Sequence, residues 1–481
     1  MNSISDSLAI AILHQQAGRS FQAEQIYLQI LQEQPNQIDA LYLLGTLAHQ
    51  LGETAKAIAF YRQALAINPA LASVHSNLGI ALKQQGLLTE AMQHYQQAIA
   101  LQPNSAQFHY NLGLVFQELG NLESAKDSYR QATILQPNYP LAYNNLGLVL
   151  LQIGEVEAAI TCYKTAIELQ PDFAEAHQNL AEALLLIGDF DLGFAEYEWR
   201  WQMFAPEQLP NFATPQWDGA PLDDKTILLY AEQGLGDTFQ FIRYADLVRD
   251  RGGRVIVACL SAQVELLKTV PGVAQVLALD EELPEFHTQA PLMSLPYLLG
   301  TTVETIPAKI PYIFAPSSHN FQLVASLETK LKVGIVWAGN PGNRNDSKRT
   351  CGLQPFLPLF KIPAVEFYSL QVGKSSQELA QLPADIKIQD LSSYLHNFND
   401  TAAAIAQLDL VLTIDTSVAH LAGALGKPTW VVLPFVPDWR WLLQREDSPW
   451  YPTMRLFRQE LVGDWAGVFA KVGREIMKYE V

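Results

Sequence analysis

Two aspartates in the second half of the chain stand where chemistry on a phosphorylated ligand would need them. Asp237 lies in the run Glu232-Gln-Gly-Leu-Gly-Asp-Thr238. Gly234 and Gly236 let the backbone approach a ligand closely, and a helix opening there offers free amides and a positive dipole end. Asp237 is either the N-cap of that helix or a general base facing a cleft. Asp415 lies in Ile414-Asp-Thr-Ser-Val-Ala-His420. A strand ending at Ile414 and a helix starting near Ser417 aim Asp415, Thr416 and Ser417 at a sugar hydroxyl and a diphosphate; a simple capping cluster is the alternative. His420, one turn into the helix, is a second candidate base or a packing residue, and His287 is a third titratable candidate.

Two further motifs bear on the same chemistry. The polar loop Gly339-Asn-Pro-Gly-Asn-Arg-Asn-Asp-Ser-Lys-Arg349 collects Arg344, Lys348 and Arg349 beside Asn340. It lacks the spacing of a nucleotide phosphate loop, yet its cations suit the charge of a departing diphosphate. The segment Pro434-Phe-Val-Pro-Asp-Trp-Arg-Trp-Leu442, with Trp450 and Tyr451, is dense in aromatics that either stack on a base or sugar or fill a core.

The elements that must position these residues read as an α/β fold. Short β-branched runs alternate with helical stretches from Lys225 onward, including Lys225–Glu232, Arg254–Leu260, Val273–Leu279, Lys332–Ala338, Val365–Leu370, Ile386–Ile388, Val411–Ile414 and Pro428–Leu433. They predict two lobes, 225–325 and 326–481, with a ligand at the carboxyl ends of the strands. The helix opening at Asp237 is expected to run to about Arg251, and a last helix from about Asp464 to Tyr479. The stretch 208–224, with Pro210, Pro215, Pro221 and Trp217 after Pro206, reads as a stiff linker.

Residues 1–207 are organised differently. Prolines at 35, 69, 103, 137 and 171 and glycines at 18, 52, 86, 120, 154 and 188 recur every 34 residues, with tyrosines in step at 27, 61, 95, 129, 163 and 197. The period and punctuation match the tetratricopeptide signature, about six helix pairs forming an α-solenoid. Asn77, Asn111, Asn145 and Asn179 share the step. In this the array resembles that of the O-linked N-acetylglucosamine transferases, where such a ladder holds substrate protein. An amide both donates and accepts, so the row suits a peptide backbone; hydrogen bonds between neighbouring helices are the alternative.

Gly-Leu-Gly-Asp-Thr at the first strand's end, the Ser-Lys-Arg loop, and Asp415-Thr-Ser-Val-Ala-His-Leu-Ala-Gly-Ala-Leu-Gly-Lys-Pro428 together resemble glycosyltransferase family nine, the heptosyltransferase-like GT-B enzymes, over about 225–460. The resemblance implies two Rossmann-like lobes and an inverting sugar transfer from a nucleotide-sugar co-substrate, with no cofactor and no metal. It makes Asp237 the base, Lys348 a phosphate contact, Asp415 a contact of the donor sugar and Thr416 a neighbour of its phosphates. Where that family continues its loop with lysine, aromatic and tryptophan, this chain has Arg349 and Thr350.

A net charge of −18 argues against nucleic acid. Cys162, Cys259 and Cys351 lie far apart, as free thiols of a reducing cytoplasm would. No long apolar run suggests a membrane span. The expected partners are a nucleotide-sugar donor and a protein or peptide acceptor in the repeat groove. Two alternatives remain: a glycan or lipid-carrier transferase whose repeats recruit partners, and a repeat scaffold without catalysis.

Overall fold

The computed structural model describes residues 3–205, 210–316, 322–324, 330–342 and 346–479. It divides into two compact units, Met1–Asn179 and Leu180–Val481.

The first unit is a stack of helix pairs. Each pair joins a helix of 13 residues to one of 14, from Ile4–Gln16 with Ser20–Glu33 to Pro140–Gln152 with Val156–Leu169. The turn glycine of each pair has positive φ, as at Gly52 (77°) and Gly120 (74°), a conformation that side chains with a Cβ resist. Within each pair a second glycine lies under the tyrosine of the partner helix. A Cβ on Gly45 would stand 2.5 Å from the Tyr61 ring, and Gly79, Gly113 and Gly147 repeat this with Tyr95, Tyr129 and Tyr163. The tyrosines are buried, so ring and backbone are in direct contact. A histidine series adds a further tie. Nε2 of His75, His109 and His177 lies 3.0 Å from the carbonyl oxygens of Pro69, Pro103 and Pro171.

The second unit holds two parallel sheets. The first is ordered β3-β2-β1-β4, with β1 Thr226–Tyr230, β2 Arg254–Cys259, β3 Val273–Ala278 and β4 Thr288–Pro291. The second is ordered β10-β9-β8-β5-β6-β7, with β5 Leu331–Val336, β6 Val365–Ser369, β7 Gln389–Asp390, β8 Leu410–Ile414, β9 Thr429–Leu433 and β10 Met454–Arg458. β8 and β9 are buried along their whole length, as strands covered on both faces must be. The C-terminal helix Trp465–Ile476 closes one face. The Asp464 side chain accepts from the Gly467 N–H at its start, and Phe469 packs 4.4 Å from Phe356.

Three expectations need correction. The helix from Asp237 to Arg251 is broken into Leu235–Phe241, a 3₁₀ turn Ile242–Tyr244 and Ala245–Arg249. At the break Arg243 is buried, and its guanidinium donates to the Trp450 carbonyl (2.5 Å) and the Tyr312 hydroxyl (2.8 Å). Burying a guanidinium requires such partners. The third strand of the second lobe is shifted to Gln389–Asp390. The stretch after Pro206 is not only a linker: Gln216 pairs in parallel with Gln289, and the Trp217 N–H donates to the Gln289 carbonyl at 2.7 Å, so it runs along β4. Pro206 itself lies outside the described residues.

Gly45→Ala tests the ring contact. Helix propensity alone would add about 1 kcal/mol of stability, whereas overpacking costs about 1–3 kcal/mol. Because Tyr61 has nowhere to move, the variant should melt at lower temperature with native helicity; a raised melting temperature would contradict the close approach.

Candidate functional site

Both sheets change direction at a strand whose carboxyl end carries one of the candidate motifs. In the second sheet the order reverses between β5 and β8, followed by Gly339 and Asp415 respectively. In the first it reverses at β1, followed by Glu232–Asp237. Open parallel sheets bind ligands at such points, because the loops diverge there. These loops line one cleft of about 710 Å³. Asp237, Asp415, Thr416, Ser417, Gly234 and Gly236 all line it, as do Asn340, Arg349 and His420.

Asp237 is not the N-cap of its helix: Gly234 holds that position, the helix runs Leu235–Phe241, and Asp237 is its third residue. Its Oδ2 accepts from the Gly234 N–H at 2.8 Å; glycine has no side chain to return the bond, so this is half of a capping box. Its Oδ1 accepts from Arg440 Nη2 at 2.6 Å. Arg440 also pairs with Asp438 Oδ1 at 2.8 Å and stacks 4.3 Å from the Trp439 ring. Burial pushes the Asp237 carboxyl up, and the Arg440 charge pulls it back.

Asp415 is 8% exposed. Burial pushes its carboxyl up to about 6, assisted by the Asp438 charge and opposed by Arg349 and Arg440. His420 Nε2 lies 3.8 Å from Asp415 Oδ1, and Nδ1 lies 3.0 Å from the Tyr451 hydroxyl. Its ring stacks on Trp441 at 5.3 Å. Burial and the surrounding arginines hold this imidazole well below its usual range, so it is neutral near pH 7. The helix Ser417–Ala424 begins at Thr416, whose side chain does not cap it, so the opening amides are left for another acceptor.

Other candidates fall elsewhere. His287 is exposed at the amino end of β4, and its Nδ1 accepts from the Thr226 N–H at 3.1 Å. The cleft lies at the opposite, carboxyl ends of the strands, so His287 is removed from it. Lys348 is exposed and does not line the cleft, whereas its neighbour Arg349 does. Arg344 lies outside the described residues. The aromatic segment is core: Trp441, Trp450 and Tyr451 are fully buried, and Trp450 stacks on Phe190 at 5.9 Å. Only Trp439 from it borders the cleft, with Asp438 and Arg440.

The asparagine series ties adjacent repeats. Nδ2 of Asn77 and Asn145 donates to the hydroxyls of Tyr42 and Tyr110, each at 3.1 Å, and Asn179 Nδ2 donates to Asn144 Oδ1 at 2.9 Å. Asn111 is buried and its Oδ1 accepts from Gln107. Asn77, Asn145 and Asn179 thus each commit a donor between helices and are half-buried, and Asn111 is buried, so only part of the row is accessible.

Sequence reasoning overlooked Arg440, which lay among aromatics that drew attention to stacking. It also missed Gln371, which is buried and whose Oε1 accepts from the N–H groups of Trp337 (3.2 Å) and Ala338 (3.0 Å), holding the chain as it leaves β5. A lone glutamine after a strand carries no motif.

Known proteins share part of this chain. Residues 45–86, 81–120, 117–154 and 149–188 match the family model described as TPR repeat. The chain carries tetratricopeptide repeats through these residues, and such repeats suggest peptide or protein partners. It is 27% identical over 320 residues to Protein FlbA of Caulobacter vibrioides, covering 60% of this chain and 52% of that protein. The chain thus spans about half the length of this curated relative. Among solved structures, PilF of Pseudomonas aeruginosa is 23% identical with a TM-score of 0.39, over 42% of this chain and 92% of that one. MamA is 26% identical with a TM-score of 0.33, over 34% and 97%. No helix among the described residues is long and apolar enough to cross a membrane.

Asp415 makes stability depend on pH. An acid whose pKa is raised by folding holds its proton more tightly in the folded state. Its contribution is complete below about pH 4, the unfolded value, and is lost as pH rises through 6. Urea unfolding of Asp415→Asn should therefore show a flatter stability profile between about pH 4 and 6.5 than the parent protein. Identical slopes would show that this carboxyl is not raised.

Proposed function

We propose that the second unit is a GT-B glycosyltransferase that moves a sugar from a nucleotide-sugar donor to an acceptor, with the tetratricopeptide repeats recruiting a protein acceptor. The observation that supports it most is the convergence of two parallel-sheet switch points on one cleft where Asp237 and Asp415 lie with the buried Arg440 and the half-buried Arg349.

The donor's diphosphate would lie against the opening amides of the Ser417 helix and the Arg349 guanidinium, which offset the charge that grows as the leaving group departs. Asp415 would hold the sugar. The acceptor oxygen attacks the anomeric carbon, and the bond from that carbon to the phosphate oxygen breaks. The acceptor proton passes to Asp237, and a nucleoside diphosphate leaves. Arg440 opposes the upward push of burial on the Asp237 carboxyl and fixes its direction, leaving the second lone pairs of its oxygens for the acceptor. A non-catalytic scaffold is favoured by one observation, that both Asp237 oxygens already have partners.

A panel of nucleotide sugars incubated with the pure protein separates the two. Hydrolysis or transfer of at least one donor is expected, and no turnover with no nucleotide-induced thermal shift would favour the scaffold. Asp237→Asn should abolish turnover and leave nucleotide affinity nearly unchanged; persisting turnover would assign Asp237 to capping alone. Arg349→Ala should weaken nucleotide binding about tenfold, a loss of about 1.4 kcal/mol, and Lys348→Ala by less. Equal effects of the two would contradict the placement of Arg349 at the phosphates.

A further inference from the structure

The second sheet ends at β10, and a polar pocket of about 380 Å³ opens beside that edge, bounded by residues 444–446 and the C-terminal helix. Arg445, Arg455, Arg458, Lys471 and Arg474 line it. Glu446, Glu460 and Glu475 line it as well, so the pocket holds two more cations than carboxylates in a chain of net charge −18. Three of the cations are answered by carboxylates. Arg445 pairs with Asp447 at 2.7 Å, Arg455 with Glu475 at 2.6 Å and Lys471 with Glu460 at 2.5 Å.

The other two are not. Arg474 is exposed and has no ion-pair partner among the described residues. Arg458 has no carboxylate partner among them either. Its Nε donates to the Arg445 carbonyl at 2.8 Å and its Nη2 to the Trp441 carbonyl at 2.5 Å. Its Nη1 is buried with no partner among the described residues. A guanidinium seldom stays half-buried against neutral oxygens and a second arginine without an anion to compensate it. Burial and the Arg445 charge bring its pKa down to about 10, so it remains a cation at neutral pH.

We propose that this pocket binds a small phosphate-bearing ligand, of the size of pyrophosphate or a sugar phosphate, between Arg458, Arg474 and Lys471. The planar fork of the exposed Arg474 matches phosphate oxygens in pairs, while Arg458, whose Nη1 is closed to solvent, contributes its charge. The site is distinct from the cleft and does not depend on the transferase reading. Its ligand would also bear on the segment that leads to the cleft. Between the two carbonyls that Arg458 holds, Leu442 and Gln444 both adopt φ of 53°, which residues with a Cβ seldom do. Arg440 lies just before them.

Titration of the full chain with pyrophosphate, followed by calorimetry and hydrogen–deuterium exchange, tests the site. Protection of peptides covering 441–447 and 455–460 is expected. Arg474→Glu should weaken that binding event by about tenfold or more, and Glu460→Gln, which releases Lys471, should strengthen it. Arg349→Ala, a change in the cleft, should leave it intact. Pyrophosphate binding that is insensitive to Arg474→Glu and Glu460→Gln but lost in Arg349→Ala would place the anion in the cleft alone and overturn the proposal while sparing the transferase reading. No binding to the parent protein at millimolar pyrophosphate would overturn it as well. If free phosphate and a sugar phosphate bind equally, the site reads the phosphoryl group alone; a tighter sugar phosphate would show that the pocket also recognises the sugar.

Discussion

Position 236 has room for a hydrogen and nothing larger on its cleft side. A Cβ there would stand 2.8 Å from His420 Cδ2 and 3.5 Å from the Ser417 Cα. The loop after β1 and the helix after β8 therefore meet with backbone against side chain, and everything else in the cleft is set from that contact. Asp237 follows directly and can reach Arg440. Asp415 precedes the helix and lies within 4 Å of the same His420 ring. His420 cannot retreat, because Tyr451 bonds one side of its ring and Trp441 covers a face. Tyr451 in turn lies against Gly423 of the same helix, where a Cβ would collide with it.

The second constraint is electrostatic. The buried arginines of the second unit are held by partners that the fold supplies. Arg200 is 3% exposed and bonds Glu232 and Glu198 as well as the Ser294 hydroxyl. It thereby ties the 3₁₀ turn Glu198–Met203 to the loop that opens the cleft. Gln233 in that loop exchanges hydrogen bonds with the Tyr197 hydroxyl. Removing one member of such a buried set strands the others, which costs about 3–5 kcal/mol. Charge in this cleft is thus preorganised: Arg440 answers two carboxylates, while Arg349 bonds Asp346 only loosely, at 3.4 Å. A guanidinium so weakly engaged at the cleft wall is available to an incoming anion.

Much of the architecture was legible because it rests on periodicity and on uninterrupted apolar strands. The 34-residue step located the helix pairs, since turn glycines and ring-packed glycines must recur wherever the same two helices meet. β1, β2, β5, β8 and β9 announced themselves as buried runs. β4 and β10 did not. One is only four residues and ends in proline, and the other, Met-Arg-Leu-Phe-Arg at the sheet edge, carries two arginines in five residues. The split helix after Asp237 was hidden because a buried arginine looks, in a sequence, like a surface one. The cleft motifs around Asp237 and Asp415 converge as their positions after strands implied. Arg440 and Gln371 act through partners far away in the chain, which no local pattern encodes. His287 misled for the converse reason: a titratable type is visible in the sequence, but the end of the strand it occupies is not.

The proposed transfer requires that a nucleotide sugar occupy the cleft where Gly236 meets His420. A crystal structure of the protein soaked with the donor panel tests it most directly. The diphosphate should lie at the first amides of the Ser417 helix with Arg349 upon it, the sugar beside Asp415 and the open side of Asp237 facing the anomeric carbon. A nucleotide bound away from those residues, or an empty cleft at saturating donor, would contradict the account.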